Sequence, residues 1–250
     1  MALTAQGVTI HFGGVVAVNA MSLSVAPGEI VGLIGPNGAG KTTFINCIAG
    51  TYRPSAGSIV WQGEELVGLA PHALIRRGVV RTFQSVTALH DLTVMDIVKL
   101  GAGMREELSA VQRLGQMLRS ERAIEAELTT SLLEPLRLAD VAHQPIQTLS
   151  YGQRKAVDLA RALAGHPELL LLDEPVAGLT SQEGLAMAAL IKSVRDRYGC
   201  AVLMVEHKMD VVLDACERIA VMAAGAKIFE GTGAQMQAHP EVRRVYLGEA

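Results

Sequence analysis

The sequence predicts an α/β protein, in which helices cover a mostly parallel sheet, with an antiparallel β layer at the N-terminus and a helical subdomain. Three patterns predict this class: alternating apolar residues near the N-terminus, a glycine-rich loop after a short apolar run, and later apolar runs separated by helical periodicity. The 250 residues suffice for one large domain or a core with a small appendage. The composition is 50% hydrophobic, so core-forming side chains are plentiful.

The first elements are predicted to be antiparallel strands. Residues 8–12 and 21–25 alternate between apolar and polar side chains, and Gly13-Gly14 favours a turn after the first run. Residues 58–63 predict another short strand and turn, which we expect to return to this N-terminal layer.

A strand, a glycine loop and a helix follow in that order. The apolar run Ile30–Ile34 is typical of a buried parallel strand, and Thr42–Ala49 is expected to be helical, with Gly50 as its C-cap. This order is typical of a phosphate-binding α/β unit.

The second half of the chain predicts helices and a parallel sheet. Apolar residues at helical spacing between 104 and 136 predict a helical subdomain. After Pro145 the chain alternates between helices and strands, which predicts a mostly parallel sheet with helices packed on it. The helices are expected at about 152–164, 181–197 and 208–215, and the strands at 169–172, 201–205 and 219–222.

Charge and hydropathy argue against two classes of protein. The 22 Lys and Arg residues and the 25 Asp and Glu residues give a formal net charge of −3, so no broad basic surface for a nucleic-acid backbone is expected. The uncharged first 28 residues lack the basic start of a secretory leader, and glycines and a proline interrupt them. Apolar runs stay well below the roughly 18 residues that span a bilayer. We therefore expect a soluble, cytoplasmic protein.

The three cysteines are expected to be reduced and buried. Cys47, Cys200 and Cys216 are widely spaced, form no C-x-x-C pair and have no histidine in ligand register.

The glycine loop matches the phosphate-binding pattern G-x-x-x-x-G-K-[ST]. It lies between a predicted strand and a predicted helix, and a chance match is expected in only roughly one per cent of chains of this length. Lys41 would reach the β- and γ-phosphates, while the Thr42 hydroxyl would bind Mg²⁺. An incidental glycine turn is the alternative. The predicted nucleotide contacts are Gly35, Pro36, Asn37, Gly38, Ala39, Gly40, Lys41, Thr42 and Thr43.

Two adjacent carboxylates follow the apolar run 169–172. Asp173 can hold Mg²⁺ through water, and Glu174 is placed to polarise an attacking water as a general base. Ligands of α/β proteins bind at such strand ends. A solvated acidic strand end is the alternative for this pair taken alone.

The segment Leu149-Ser-Tyr-Gly-Gln153 combines a hydroxyl, a glycine and a helix start, features that bind anions. With the other motifs, it makes the chain resemble the ATPase subunits of ABC transporters. The matching features, in chain order, are the Walker A loop at 35–42, Gln84 in Arg-Thr-Phe-Gln, the LSGGQ-like signature at 149–153, Walker B ending at Asp173-Glu174, and His207.

This resemblance implies further roles and cofactors. Phe12 would stack on adenine, Gln84 would sense Mg²⁺ and the attacking water, and His207 would contact the γ-phosphate. Taken alone, Phe12 is more typical of a strand core and His207 of a structural histidine. The implied cofactors are ATP and Mg²⁺. The implied catalytic residues are Glu174, His207 and Gln84, the metal ligands are Thr42, Gln84 and Asp173, and the signature acting in trans is Ser150, Tyr151, Gly152 and Gln153.

Two positions depart from the family pattern. Tyr151 replaces the first glycine of the signature but leaves Ser150 and Gly152 in place, so we expect phosphate contact to persist. Thr180 stands where the family's D-loop usually carries aspartate, so the communication between subunits ascribed to that aspartate is not transferred to this chain.

Finer features are similar to the ATPases of branched-chain (hydrophobic) amino acid importers, in particular the longer of the two that such importers pair. Urea and amide importers share much of the pattern, and lipopolysaccharide-export ATPases share less. The features are Phe12-Gly-Gly, residues 81–84, the signature, Val205-Glu-His-Lys-Met209 and Tyr246-Leu-Gly248.

The resemblance also implies an organisation and a set of partners. Residues 1–250 would form one ATPase domain, with a helical subdomain at about 86–165 and a C-terminal extension at about 233–250. Partners would be a second ATPase subunit (a copy or a paralogue), transmembrane permeases that bring the chain to the cytoplasmic face of the inner membrane, and indirectly an extracytoplasmic solute-binding protein. No nucleic acid is expected. Residues 85–94, with Leu89 and Leu92 as apolar candidates, would contact the permease.

Two other functions remain open from the residues. A soluble ABC-type ATPase acting on DNA or the ribosome usually carries two cassettes or a long coiled coil, and this chain shows neither. A small-molecule P-loop kinase would need an acceptor pocket in place of the signature at 149–153.

Overall fold

The computed structural model describes residues 2–82, 91–103 and 121–247 and contains two sheets with helices packed around them. The strands are β1 (Leu3–Phe12), β2 (Val15–Val25), β3 (Ile30–Ile34), β4 (Ala56–Trp61), β5 (Glu64–Glu65), β6 (Val79–Arg81), β7 (Leu169–Asp173), β8 (Ala201–Val205), β9 (Arg218–Ala223) and β10 (Ala226–Gly231). The helices are α1 (Lys41–Ile48), α2 (Pro71–Arg76), α3 (Val94–Gly103), α4 (Glu121–Leu128), α5 (Tyr151–Ala164), α6 (Ser181–Tyr198), α7 (Met209–Ala215), α8 (Gly233–Ala238) and α9 (Pro240–Leu247).

The N-terminal layer is an antiparallel sheet in the order β2-β1-β4-β5. Leu3 pairs with Val25 on one side and with Trp61 on the other, and all three side chains are buried. The turn at residues 13–14 joins β1 to β2, as the sequence predicts. Both strands are longer than predicted, because the pairing runs along almost the whole hairpin despite several register shifts.

The larger sheet has the order β10-β9-β3-β8-β7-β6, and only β10 runs antiparallel to its neighbour. Every residue of β3, β7 and β8 is buried, as expected for parallel strands covered on both faces. These pairings confirm the predicted α/β class. They also bring the carboxyl ends of β3, β7 and β8 side by side, so the loops that follow these strands meet at one edge.

Helices α3, α4 and α5 pack around a shared apolar core together with α6. The core includes Val98, Leu133, Val157 and Ile191, all buried. Lys99 on α3 binds Glu121 and Glu125 on α4, with Nζ 2.8 and 2.6 Å from the two carboxylates. A π-helical turn, Thr129–Leu133, follows α4. Residues 104–120 of the predicted helical stretch lie outside the described residues.

Side chains of the last strands tie the two sheets together. Arg218 on β9 makes two hydrogen bonds of 2.9 Å to the carboxylate of Glu29 and donates to the Ser24 carbonyl at 2.8 Å. Lys227 on β10 donates to the Ser22 carbonyl at 2.7 Å. Burial raises the pKa of Glu29, but hydrogen bonds from Arg218 and Ala26 outweigh it, so the net pKa is lowered.

Several details correct the sequence expectations. Helix α1 ends at Ile48 with Ala49 as its C-cap, so Gly50, the expected cap, lies one position beyond the observed one. Helix α7 begins at Met209, because Lys208 is its extended N-cap. The sequence patterns did not predict α2, β6, β10, α8 or α9.

The three cysteines are free thiols, and none is exposed. Cys47 and Cys200 are buried and Cys216 is half-buried. Burial raises the pKa of Cys47 and of Cys200 to about 11, and that of Cys216 to about 12. In the parts of the chain that the structure describes, no helix combines the length and the apolar character needed to cross a bilayer.

Candidate active site

The site forms where the loops after β3, β7 and β8 meet. The glycine motif follows β3, Asp173 is the last residue of β7 and Glu174 follows it, and His207 lies in the loop after β8. Parallel pairing places β8 between β3 and β7, so three sequence-distant motifs share one edge of the sheet. This is the edge at which open α/β sheets bind ligands.

Gly40 starts helix α1 in a left-handed conformation that few other residues adopt. Its φ is +99°, and a β-carbon at this position would lie 2.3 Å from the carbonyl oxygen of Ala17 on β2. Since Gly40 caps the helix without a side-chain hydrogen bond, the first-turn amides remain available to an anion.

Lys41 is the first residue of α1, and its side chain folds back against the glycine loop that precedes it. Its side chain is buried, and Nζ donates hydrogen bonds of 2.7 and 3.0 Å to the carbonyls of Gly35 and Pro36. Burial lowers the pKa of this ammonium, and the carboxylates of Glu174 and Asp173 partly oppose that shift. The site therefore contains one buried cation facing two carboxylates.

Asp173 has one occupied and one unpaired carboxylate oxygen. Oδ2 accepts a hydrogen bond of 2.8 Å from Arg81, whereas Oδ1 is buried and has no partner among the described residues. A buried carboxylate oxygen without a partner suits Mg²⁺, which prefers oxygen ligands. Thr42, at the start of α1, is exposed, so its hydroxyl is available as a second oxygen ligand. Gln84, the third predicted ligand, lies outside the described residues.

Glu174 and His207 are in direct contact. Glu174 Oε1 lies 2.7 Å from His207 Nε2, and the two side chains are 25% and 39% exposed, so water can reach the pair. Glu174 has a φ of +51°, an uncommon conformation for a residue with a side chain, and its amide donates to the Val205 carbonyl at 2.9 Å. Constrained backbone of this kind is concentrated at functional sites.

Glu206 is a site residue that sequence reasoning missed. It is buried, and its carboxylate accepts hydrogen bonds from the amides of Val176 (2.9 Å), His207 (2.9 Å) and Lys208 (3.3 Å). Lys208 also donates to the Leu179 carbonyl. The residues on either side of His207 thus bind the loop after Glu174. The available sequence signal was an acidic residue at the end of a fully apolar strand.

The signature forms the start of helix α5. Ser150 is the N-cap, and it forms a capping box with Gln153, in which each side chain accepts a hydrogen bond from the other's amide. Ser150 and Tyr151 are exposed, as a role toward a second chain requires. Within one chain the signature touches the loop after Glu174, because the Tyr151 ring lies against Gly178.

Phe12 is not a strand core residue. Its side chain is 46% exposed, and its ring packs edge-on against Tyr52 with centroids 5.3 Å apart. The core alternative is therefore wrong, and the adenine-stacking role stays a prediction.

Thr180 is the N-cap of helix α6. Its hydroxyl accepts a hydrogen bond from the Glu183 amide at 3.3 Å, and the Glu183 carboxylate accepts from the Thr180 amide and hydroxyl at 2.8 Å each. These bonds lower the pKa of Glu183. The side chain that replaces the family's aspartate is therefore engaged in a helix cap.

Part of the segment expected to contact a permease is described. Leu92 packs partly buried against the core of the helical region, and its carbonyl accepts a hydrogen bond from the Ile146 amide at 3.0 Å. It therefore belongs with the core rather than with an exposed contact. Leu89 lies outside the described residues.

Comparison with known proteins gives two family matches. A model described as ABC transporter matches residues 18–177, and one described as branched-chain amino acid ATP-binding cassette transporter matches residues 226–250.

Individual proteins match over nearly the full chain. The high-affinity branched-chain amino acid transport ATP-binding protein BraF of Pseudomonas aeruginosa is 38% identical over 251 residues, covering 99% of this chain and 98% of BraF. The lipopolysaccharide export system ATP-binding protein LptB of Haemophilus influenzae is 36% identical over 247 residues, covering 99% of this chain and 97% of LptB. A crystal structure of an ABC transporter ATP-binding cassette in its ADP conformation superposes with a TM-score of 0.87 at 29% identity, covering 100% of both chains.

Proposed function

This chain belongs to the ABC transporter ATP-binding family, and we propose that it hydrolyses ATP to power the uptake of branched-chain or other hydrophobic amino acids through separate permease subunits. The observation that carries the proposal is the 2.7 Å contact between Glu174 and His207 next to buried Lys41. A carboxylate base oriented by a histidine and a phosphate-binding ammonium are groups suited to phosphoryl transfer to water.

The chemistry assigned to these residues is in-line attack of water on the γ-phosphorus, which breaks its bond to the bridging oxygen and releases ADP and phosphate. Glu174 takes the proton of the attacking water, and His207 orients Glu174 and contacts the γ-phosphate. Lys41 exchanges its bonds to the Gly35 and Pro36 carbonyls for phosphate oxygens. Thr42, Asp173 and Gln84 would hold Mg²⁺, which neutralises phosphate charge.

Membership of this family also indicates the protein partners of the chain. A second ATPase subunit, either a copy or a paralogue, places its signature opposite this chain's glycine loop. Permease subunits hold the chain at the cytoplasmic face of the membrane, and an extracytoplasmic solute-binding protein acts through them. A largely apolar cavity of about 180 Å³, whose lining includes Leu74, Val80 and Gly101, supports contact with a permease segment.

Substrate choice rests on the C-terminal segment. Identity to BraF and to LptB differs by little, whereas residues 226–250 match the branched-chain family specifically. The described part of this segment, residues 226–247, contains β10, α8 and α9, and Met236 and Val242 of the two helices pack into one apolar cluster with β9. An amide or urea importer, a lipopolysaccharide exporter and a non-transport ATPase are the alternatives.

Reconstitution tests the proposal. The chain is co-expressed with permease subunits of a branched-chain amino acid importer, incorporated into proteoliposomes with a solute-binding protein, and assayed for ATP-dependent uptake of labelled leucine and labelled urea. We expect leucine uptake that vanishes with Glu174→Gln. ATP hydrolysis stimulated by urea, or by lipopolysaccharide, would keep the ATPase assignment and overturn the substrate, and absence of hydrolysis would overturn both.

A further inference from the structure

The ring of Tyr151 occupies space left by a missing side chain in the loop after Glu174. A β-carbon placed on Gly178 would lie 2.8 Å from Cε1 of Tyr151, and Gly178 has a φ of +79°. The ring therefore fits against this loop only because residue 178 is glycine. About half of Tyr151 remains exposed, on the surface where the signature would meet a second chain.

Lys155, one helical turn after Tyr151, links this ring to Glu174. Its Nζ lies 5.7 Å from the centroid of the Tyr151 ring and donates a hydrogen bond of 3.2 Å to the backbone carbonyl of Glu174. Residues four apart share one face of a helix, so the pair forms without distortion of α5. The aromatic face attracts the ammonium and limits the positions that it can adopt.

The backbone of Glu174 has an unfavourable conformation that hydrogen bonds must hold in place. Its positive φ is held by surrounding contacts, and they include the bonds of its amide to Val205 and of its carbonyl to Lys155. Loss of the Lys155 bond removes one restraint on the carboxylate that contacts His207. A small displacement of a catalytic base is enough to slow a reaction.

Building on the proposed function, we propose that Tyr151 and Lys155 are positioning residues for Glu174 of their own chain. The signature that contains Tyr151 is expected to contact the nucleotide bound by the second chain. The same ring therefore responds to one ATP site and aligns the base of the other. This connection lies within one chain and does not use the side chain of Thr180, which caps α6.

The first test measures steady-state ATP hydrolysis. In Tyr151→Gly and in Lys155→Met we expect kcat to fall about two- to five-fold, with KM for ATP changed less than about two-fold. Tyr151→Phe, which keeps the ring, should recover most of the rate lost in Tyr151→Gly. A kcat that is unaffected by Lys155→Met, or a loss expressed in KM alone, would overturn the proposal. Thermal unfolding of each variant verifies the fold.

The second test separates action within the chain from action on the partner. Full-length copies with two different tags are purified as mixed dimers in which one copy carries Glu174→Gln, so a single base remains. Tyr151→Gly is placed either on the copy with the intact base or on the copy with Glu174→Gln. The proposal predicts the slower rate in the first arrangement, whereas the reverse order or equal rates would refute it. Absence of hydrolysis by the unaltered protein would instead reject the proposed function.

Discussion

Nε2 of His207 lies 2.7 Å from Oε1 of Glu174, and this contact joins the ends of β8 and β7. The two residues are not neighbours in the sequence, since helix α6 and strand β8 lie between Glu174 and His207. Among the described residues, no group donates a hydrogen bond to the second carboxylate oxygen of Glu174, so this oxygen can accept one from a water molecule. A base with one oxygen oriented and one free suits proton abstraction.

Replacement of Glu174 by glutamine is expected to lower steady-state ATP hydrolysis by about 10²- to 10⁴-fold, because the amide keeps the shape but cannot accept the proton. ATP affinity should persist, since Lys41 and the glycine loop are intact. Parallel hydrolysis and equilibrium-binding assays measure the two effects. Hydrolysis near the wild-type rate would contradict the base assignment.

Lys41→Ala is expected to weaken ATP binding by about ten- to one-hundred-fold, because it removes a charge-assisted contact to phosphate. Titration with fluorescent ATP measures the change. Lys192→Ala is the matched control, since Lys192 pairs with Asp214 on the helices α6 and α7, away from the glycine loop. Equal affinity of the two variants would reject the role of Lys41.

Mixing two inactive variants tests the shared site. Lys41→Ala and Ser150→Ala homodimers each have two damaged sites, whereas a mixed dimer collects both lesions in one site and restores the other. In a Glu174→Gln background, ATP-dependent dimerisation should therefore appear only after mixing. Strong closure by either variant alone would refute a site built from two chains.

Glu206→Ala is expected to lower the free energy of unfolding by about 3 kcal/mol, because three backbone amides lose a buried carboxylate acceptor. Urea unfolding followed by circular dichroism gives the value. Glu241→Ala is the control: its carboxylate is 3.7 Å from Arg244 at the surface, and the change should stay within about 0.5 kcal/mol. Similar losses in both variants would argue against the role of Glu206.

The thiols should react slowly in the folded protein. With pKa values of about 11 to 12, Cys47, Cys200 and Cys216 carry little thiolate at pH 8, and the thiolate is the reactive form. We expect iodoacetamide labelling to be at least about 100-fold slower than in urea, and to accelerate as pH rises toward those values. Mass spectrometry of timed samples measures both rates. Fast labelling at pH 8 without urea would disprove the burial of these groups.

The sequence predicts the strands that are buried on both faces and the loops that follow them. The apolar runs of β3 and β8 match the observed strands, because five consecutive buried residues leave an unmistakable pattern. Strand β6 has only three residues and no comparable pattern, so its place at the sheet edge depends on tertiary pairing with β7.

The motifs predict which residues form the site but not how they are supported. Arg81 pairs with Asp173, and Glu206 binds the loop at Val176, through contacts between residues far apart in the chain. Periodicity and spacing carry no information about such pairs. The contact of the Tyr151 ring with Gly178 cannot be predicted from the sequence either, because it depends on the backbone conformation of a separate loop.

The bonds of Arg218 and Lys227 to the N-terminal layer affect the order in which the protein can form during synthesis. Arg218 binds Glu29 across 189 residues, and Lys227 binds Ser22 across 205. Strand β3 likewise pairs only with β8 and β9, which leave the ribosome late. During synthesis, β3 in the N-terminal half therefore stays unpaired until β8 and β9 have been made. Pairing between strands so far apart in the sequence slows folding. Residues 30–34 are therefore a segment to which a chaperone that binds short apolar strands could attach during synthesis.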